Sequence, residues 1–387
     1  MSDASAPVAI VGGGAVGTST LFHLAEQHDV AGVLFEKGQL GSGSTSKAAG
    51  GVRNTYTTPL NVEIGNRAID YFQTFEERVG EPLDFRQNGY MYLYHTDEWA
   101  ARWRDLAVDL REQGVTAEIR SAADAAETFP GLDAAAIQGA LYGPDCGHVD
   151  PHSLTQGFAS AAVDRGATIH TKTAVTDVVV EDGAVVAVET EAGRYAVGAV
   201  LDAAGPWAAR VGAMVGVGLP LSFFLRRIMV TSPMEGASGP LVIDPEWECY
   251  VEAERNGSLL VCDTAQDVHD VADPDTATEG SVGYDYYLRT TEKVERLLPG
   301  LADLDVVNGW GGVQSHTPDG HAILGPTDVE GFHVACGFSG HGVQQSPVVG
   351  AAMADLLATG STDRFDVDQL ALDRFERTDR IDPEGMA

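Results

Sequence analysis

Gly12, Gly14 and Gly17 are spaced to bring backbone N–H groups against a pyrophosphate. The first glycine permits a tight turn, the second lets the backbone approach the anion, and the third lets a helix pack closely on a strand. Ala15 and Val16 lie inside the motif and join the expected contacts. Glu36 follows about 20 residues on, where a carboxylate can accept hydrogen bonds from ribose hydroxyls, with Lys37 beside it.

This unit alone does not separate a flavin from a nicotinamide dinucleotide, so the choice falls to three later segments. Gly43 to Arg53 offers small residues and hydroxyls, with Ser44, Thr45, Ser46, Gly50 and Gly51 suited to a backbone laid against phosphate and isoalloxazine. Leu201 to Trp207 reads as a strand that stops at a glycine, and Ala204, Gly205 and Trp207 are its expected contacts. Gly337 to Gly342 precedes a helix expected from about Ser346-Pro347 to Leu357, since serine is a good N-cap, proline a good first residue, and Gly360 a stop. Gly340, His341, Gly342 and Val343 would lie at its start, where the positive end of the helix dipole favours negative charge on a reduced flavin. Val175, Gly312 and Asp319 complete the expected FAD contacts.

The elements that must position these residues begin with a β-α-β unit: a strand over Pro7 to Val11, a helix over Ala15 to Gln27 and a strand over Val30 to Phe35. Further helices are expected over Asn61 to Val79, Glu98 to Gln113 and Ser153 to Asp164. Strand alternation marks Tyr90 to Tyr94, Ile228 to Thr231, and a hairpin of Cys249 to Glu254 with Ser258 to Cys262 around Asn256-Gly257. A strand from Thr168 to His170, a hairpin from Ala174 to Thr190 turning at Asp182-Gly183, and a strand from Ala199 to Ala203 return the chain to the first sheet. The expected fold is α/β with α+β elements: a Rossmann-like FAD-binding domain (1–85, 146–215 and 306–365) with an inserted antiparallel substrate domain (86–145 and 216–305), and a C-terminal tail (366–387).

Composition narrows the partners. A chain of 387 residues, 44% hydrophobic, can bury a sizeable core. Its 57 acidic residues and formal charge of −33 are spread along the chain and resemble a halophile's solvated surface, which would repel nucleic acid and anionic membranes. Cys146, Cys249, Cys262 and Cys336 form no C-x-x-C pair or cluster at zinc spacing, so neither a disulfide framework nor a metal is expected. No export signal or spanning segment is read, and the expected location is the cytoplasm.

The order of these segments, together with Thr317-Pro318-Asp319-Gly320 and Ile323-Leu324-Gly325-Pro326, resembles the superfamily of D-amino-acid oxidase, glycine oxidase and the sarcosine oxidase β subunits over about residues 7 to 360. The resemblance implies FAD-dependent oxidation of a small amino acid or of a secondary or N-methylated amine, with hydride passing to flavin N5. It also implies roles residue by residue. Arg53 matches an arginine that holds the substrate carboxylate in sarcosine oxidases; its other reading is a structural ion pair. Gln344 falls where those enzymes carry a second, lysine, carboxylate contact, which argues against sarcosine itself. Gly312 and Lys47 stand where relatives carry a flavin-linked cysteine and histidine, so the FAD is expected to be non-covalent. Leu260 falls where an oxygen-activating lysine occurs, which makes a non-oxygen electron acceptor credible. His316, His341 and Tyr250 are candidate polar groups near the flavin, with a structural histidine and core packing as the plainer readings of His316 and Tyr250. Competing activities are oxidation of a 2-hydroxy acid or polyol, or service as the flavin-carrying β subunit of a heteromeric dehydrogenase; an NAD-dependent dehydrogenase ranks third. A homo- or hetero-oligomer is compatible with each.

Overall fold

The computed structural model describes residues 4–266, 271–277, 282–378 and 380–385. The first sheet runs in the order Val175–Glu181, Ala184–Thr190, Gly193–Asp202, Ala4–Val11, Val33–Phe35 and Thr168–His170, with Phe332–Cys336 and Ile323–Pro326 joined beyond Gly193–Asp202. Ala4–Val11 pairs in parallel with both Val33–Phe35 and Gly193–Asp202, which places the Gly12 turn at the carboxyl edge of the sheet. Open α/β sheets bind ligands at that edge.

Helices Ala15–His28, Pro59–Gln73, Pro151–Asp164 and Gly342–Thr359 share one apolar core with the first sheet. Ala15–His28 and Gly342–Thr359 approach so closely that a Cβ on Gly350 would lie 2.2 Å from Ser19 Oγ. The Gly342–Thr359 helix starts four residues before the expected Ser346 N-cap. Pro347 is therefore interior, and its missing N–H leaves the Val343 carbonyl without the usual helical donor. Ser346 Oγ donates to that carbonyl at 2.8 Å. The Ser-Pro pair thus repairs a helix that has already begun.

The second sheet has eight strands in the order Val306–His316, Ser222–Thr231, Leu259–Asp263, Cys249–Ala253, Leu241–Asp244, Tyr90–Tyr94, Gly139–Gly143 and Glu118–Ser121. Val306–His316 pairs antiparallel with Ser222–Thr231 along nearly its whole length, so residues 306–316 belong to this sheet and not to the first, where the expected domain bounds had put them. The Asp182-Gly183 turn has φ of 51° and 87°, as an Asp-Gly hairpin requires. At Asn256-Gly257 only the glycine takes positive φ, and Asn256 Oδ1 instead accepts the Ser258 N–H at 2.9 Å. The helix expected over Asn61 to Val79 is broken at Thr74 into Pro59–Gln73 and Phe75–Val79.

Described residues of the expected tail pack against the body of the fold. Arg374 is 1% exposed and forms a buried ion pair with Asp319, and Glu384 is 6% exposed.

Candidate active site

The two sheets face each other across a cleft of about 550 Å³, within the range of small-molecule and cofactor sites. Its floor is the glycine turn. Gly12 has φ of 113°, and a Cβ there would lie 2.4 Å from the Ala203 carbonyl; Gly17 packs beneath, where a Cβ would lie 2.0 Å from the Gly12 carbonyl. The bare backbone leaves the N-terminus of Ala15–His28 open to the cleft at Gly14, Ala15 and Val16. Glu36 lines the same end and is fixed by the N–H groups of Gly13 (2.8 Å) and Gly38 (2.6 Å).

One wall is closed by Asp275, whose carboxylate receives Lys37 Nζ (3.3 Å), Trp207 Nε1 (2.6 Å) and Arg210 (2.6 Å). Arg210, Trp207 and Lys37 outweigh desolvation and hold this carboxyl down at about 2. Lys37 also lies over the Trp207 ring, 3.5 Å from its centre. The opposite wall comes from the second sheet, where Arg226, Ile228, Tyr250, Gly312 and Gln314 face the cleft. Burial pushes the Tyr250 phenol well above its ordinary range, so it enters any chemistry as a neutral hydroxyl.

Behind Ala48–Ala49 and the Gly340–Gly342 turn lies a buried polar cluster around Arg53, which is 5% exposed. Its guanidinium donates to Tyr92 Oη (2.9 Å) and His341 Nε2 (3.0 Å) and lies 4.3 Å from the centre of the Tyr56 ring; the Arg53 backbone N–H donates to Gln344 Oε1 (2.9 Å). Because Nε2 accepts from Arg53, His341 carries its proton on Nδ1. Burial, reinforced by the Arg53 charge, depresses its pKa to about 3, so the ring stays neutral at ordinary pH.

Of the sequence-based site residues, Gly12, Gly14, Ala15, Val16, Glu36, Lys37, Ser44, Thr45, Val175, Ala204, Gly205, Trp207, Tyr250, Gly312, Gly340, Gly342 and Val343 line the cleft. The others sit elsewhere, each for a local reason. Asp319 spends its carboxylate on Arg374, on the His321 N–H and on Thr317 Oγ1, so it braces a turn instead of facing a cofactor. Gly50 and Gly51 pack against the Val149 carbonyl and Tyr90 Oη, where a Cβ would collide. Ser46 turns its hydroxyl to the Gly43 carbonyl. His341, Arg53 and Gln344 form the cluster behind the wall, and His316 bonds Gln314 and stands edge-on to Phe224. The sequence reading missed Arg226 because it began that strand at Ile228. Paired arginines ahead of an apolar run were the available signal, since alternation along Ser222–Thr231 puts Arg226 and Ile228 on one face. Residues His148, Glu252 and Glu254 come within 4.8 Å of one another. A cation already occupies that corner: Arg86 donates to His148 Nδ1 at 3.0 Å and lies 3.5 Å from Glu254.

A Rossmann-like sheet ending in a glycine turn, faced by an antiparallel sheet across a dinucleotide-sized cleft, defines a two-domain dinucleotide-dependent oxidoreductase. The profile of the FAD dependent oxidoreductase family matches residues 7–356, and the chain belongs to that family. It is 31% identical to glycine oxidase of Geobacillus kaustophilus over 95% of this chain and 96% of that protein. It is also 31% identical to mitochondrial dimethylglycine dehydrogenase of Rattus norvegicus over 96% of this chain, but spans only 45% of that relative's length. The structure of L-proline dehydrogenase from P. horikoshii superposes with a TM-score of 0.90 at 26% identity, covering 97% of this chain and 99% of that one. No helix among the described residues is long and apolar enough to cross a membrane.

The residues present fit FAD: a side-chain-free turn at Gly12 packed against the Ala203 carbonyl, a helix N-terminus lining the cleft at Gly14 to Val16 for the pyrophosphate, and a fixed carboxylate at Glu36. The two positions that match flavin tethers in relatives abut, since a Cβ on Gly312 would lie 2.5 Å from Lys47 Cβ. Neither a glycine nor a lysine alkyl stem supplies a thioether or imidazole link, and the cofactor is held non-covalently. Acid precipitation of the yellow protein is expected to leave the flavin absorbance in the supernatant and a colourless pellet.

Proposed function

We propose that this chain oxidises a small amino acid, or a secondary or N-methylated amine of the glycine, sarcosine, proline or D-amino-acid type. The observation that carries this reading is the buried Arg53 cluster next to a cleft that fits FAD. A guanidinium set among Tyr92, Tyr56 and a neutral His341 is a desolvated cation suited to selecting a carboxylate. When bound, FAD supplies the two-electron acceptor at N5.

The chain's own residues orient and desolvate. Arg53 fixes the substrate's acid group, and Ile228, Ala49 and the Tyr250 ring shield the face where the amine-bearing carbon lies. Held in that geometry with its amine neutral, the substrate needs no dedicated general base. It loses a hydride and a proton, and water then splits the imine into a carbonyl compound and an amine. Oxygen or a partner electron carrier takes up the electrons, and a cytoplasmic location and assembly with copies or other subunits are compatible with this chemistry.

Arg53 would select the carboxylate of a 2-hydroxy acid equally well, which makes lactate-type oxidation the second reading. Anaerobic addition of glycine, sarcosine, dimethylglycine, L-proline, D-alanine and lactate to the holoprotein in high salt separates them. Bleaching by one or more amino acids is expected, and fast reoxidation in air would mark an oxidase. Bleaching by lactate alone would overturn the amine reading.

A further inference from the structure

Glu384 lies more than 320 positions beyond the residues it holds. Its carboxylate accepts the Thr57 N–H (3.0 Å), Thr57 Oγ1 (2.6 Å), Thr58 Oγ1 (3.0 Å) and Asn61 Nδ2 (3.1 Å). Thr58 is the N-cap of the helix Pro59–Gln73, yet its hydroxyl makes no capping bond within that helix. Glu384 supplies the anion there, at the positive end of the dipole. Burial opposes its charge, but the bonds from Thr57 and Asn61 and the nearby Arg53 bring its pKa down to about 2.

The network continues to the site. Asn61 Oδ1 accepts from Gln345 Nε2 at 3.3 Å, and the adjacent Gln344 receives the Arg53 N–H. His321 donates from Nε2 to the Asp382 carbonyl (2.9 Å) and accepts from Asn61 at Nδ1 (3.2 Å), so a single neutral tautomer satisfies both. The segment 380–385 therefore ties the loop that follows Arg53 to the helix that carries Gln344.

We infer that Glu384 is a positioning residue for carboxylate recognition: its buried carboxylate sets the Arg53–Asn61 loop, and thereby the placement of the Arg53 guanidinium beside the cleft. This rests on the reading of Arg53 as the carboxylate-selecting cation. A misplacement of about 1 Å at such a group costs up to roughly a hundredfold, whereas a purely structural brace would weaken all ligands and the fold together.

The test uses the full-length holoprotein as wild type, Glu384→Gln and Thr58→Ala, the last removing one hydrogen bond while leaving the carboxylate in place. Acetate and its neutral isostere acetamide are titrated against the visible flavin spectrum, with Tm and flavin content measured alongside. Glu384→Gln is expected to weaken acetate binding about tenfold or more with little change for acetamide, Thr58→Ala to fall between it and wild type, and both to retain flavin. For an amino acid that bleaches the wild type, KM should rise more than kcat falls. Unchanged discrimination between acetate and acetamide in both variants overturns the proposal, as does a parallel loss of both ligands with a lowered Tm. A wild type that binds acetate no better than acetamide removes the Arg53 reading, and the role of Glu384 with it.

Discussion

Gly17→Ala is expected to yield a protein that retains almost no FAD. The added Cβ would sit 2.0 Å from the Gly12 carbonyl, and neither partner has room to retreat. Gly12 is pinned by its N–H bond to the Phe35 carbonyl (2.9 Å) and by the Ala203 carbonyl on its other side, while Gly17 is in the first turn of a helix buried from Ala15 to Leu24. Relief requires the helix to lift from the strand Ala4–Val11, which moves the amides at Gly14 and Ala15 away from the pyrophosphate position. Overpacking at so rigid a contact costs on the order of 3 kcal/mol, and the cofactor's own stabilisation is lost in addition. The ratio of flavin to protein absorbance after gel filtration, with far-ultraviolet circular dichroism, checks this. A Gly17→Ala protein carrying a full complement of flavin would show that the contact relaxes without cost.

That prediction could be framed from the sequence alone because the glycine turn obeys local rules. Positive φ at Gly12 and a carbonyl pressed against Gly17 at the start of a helix leave few residue types possible, so these two glycines announce their own geometry. The same holds for the Asp182-Gly183 hairpin. What depended on distant partners was less legible. Ser346-Pro347 carries the local signature of a helix start, yet helical bonding is already under way where the Gln345 N–H reaches the His341 carbonyl (3.1 Å). Asp319 sits in a motif shared with flavoenzymes, yet its charge is neutralised by Arg374, 55 positions away. Nothing near Thr57 or Thr58 points to Glu384. Pairings of this kind have no period in the sequence, since they are set by where two surfaces of the finished fold meet.

The second large effect is expected at Arg53. Arg53→Ala should lower kcat/KM for the amino acid that bleaches the holoprotein by about two to three orders of magnitude, because truncating one member of a buried, hydrogen-bonded charge pair costs about 2–5 kcal/mol. It should leave flavin content nearly intact, since no cleft-lining glycine depends on it. Arg53→Lys separates charge from shape. An ammonium keeps the positive charge but cannot span Tyr92 Oη and His341 Nε2 as the planar fork does, so recovery should be only partial. Removing the cation also removes one of the causes that hold His341 neutral, and the His341 pKa should move up from about 3 toward its ordinary value while burial still keeps it low. A weak acidic limb in the pH profile of Arg53→Ala, missing from the wild type above pH 5, would register that change. Were Arg53→Ala to keep its affinity for carboxylate substrates and lose only Tm, the residue would be a structural brace, and recognition of the acid group would pass to the cleft-lining Arg226.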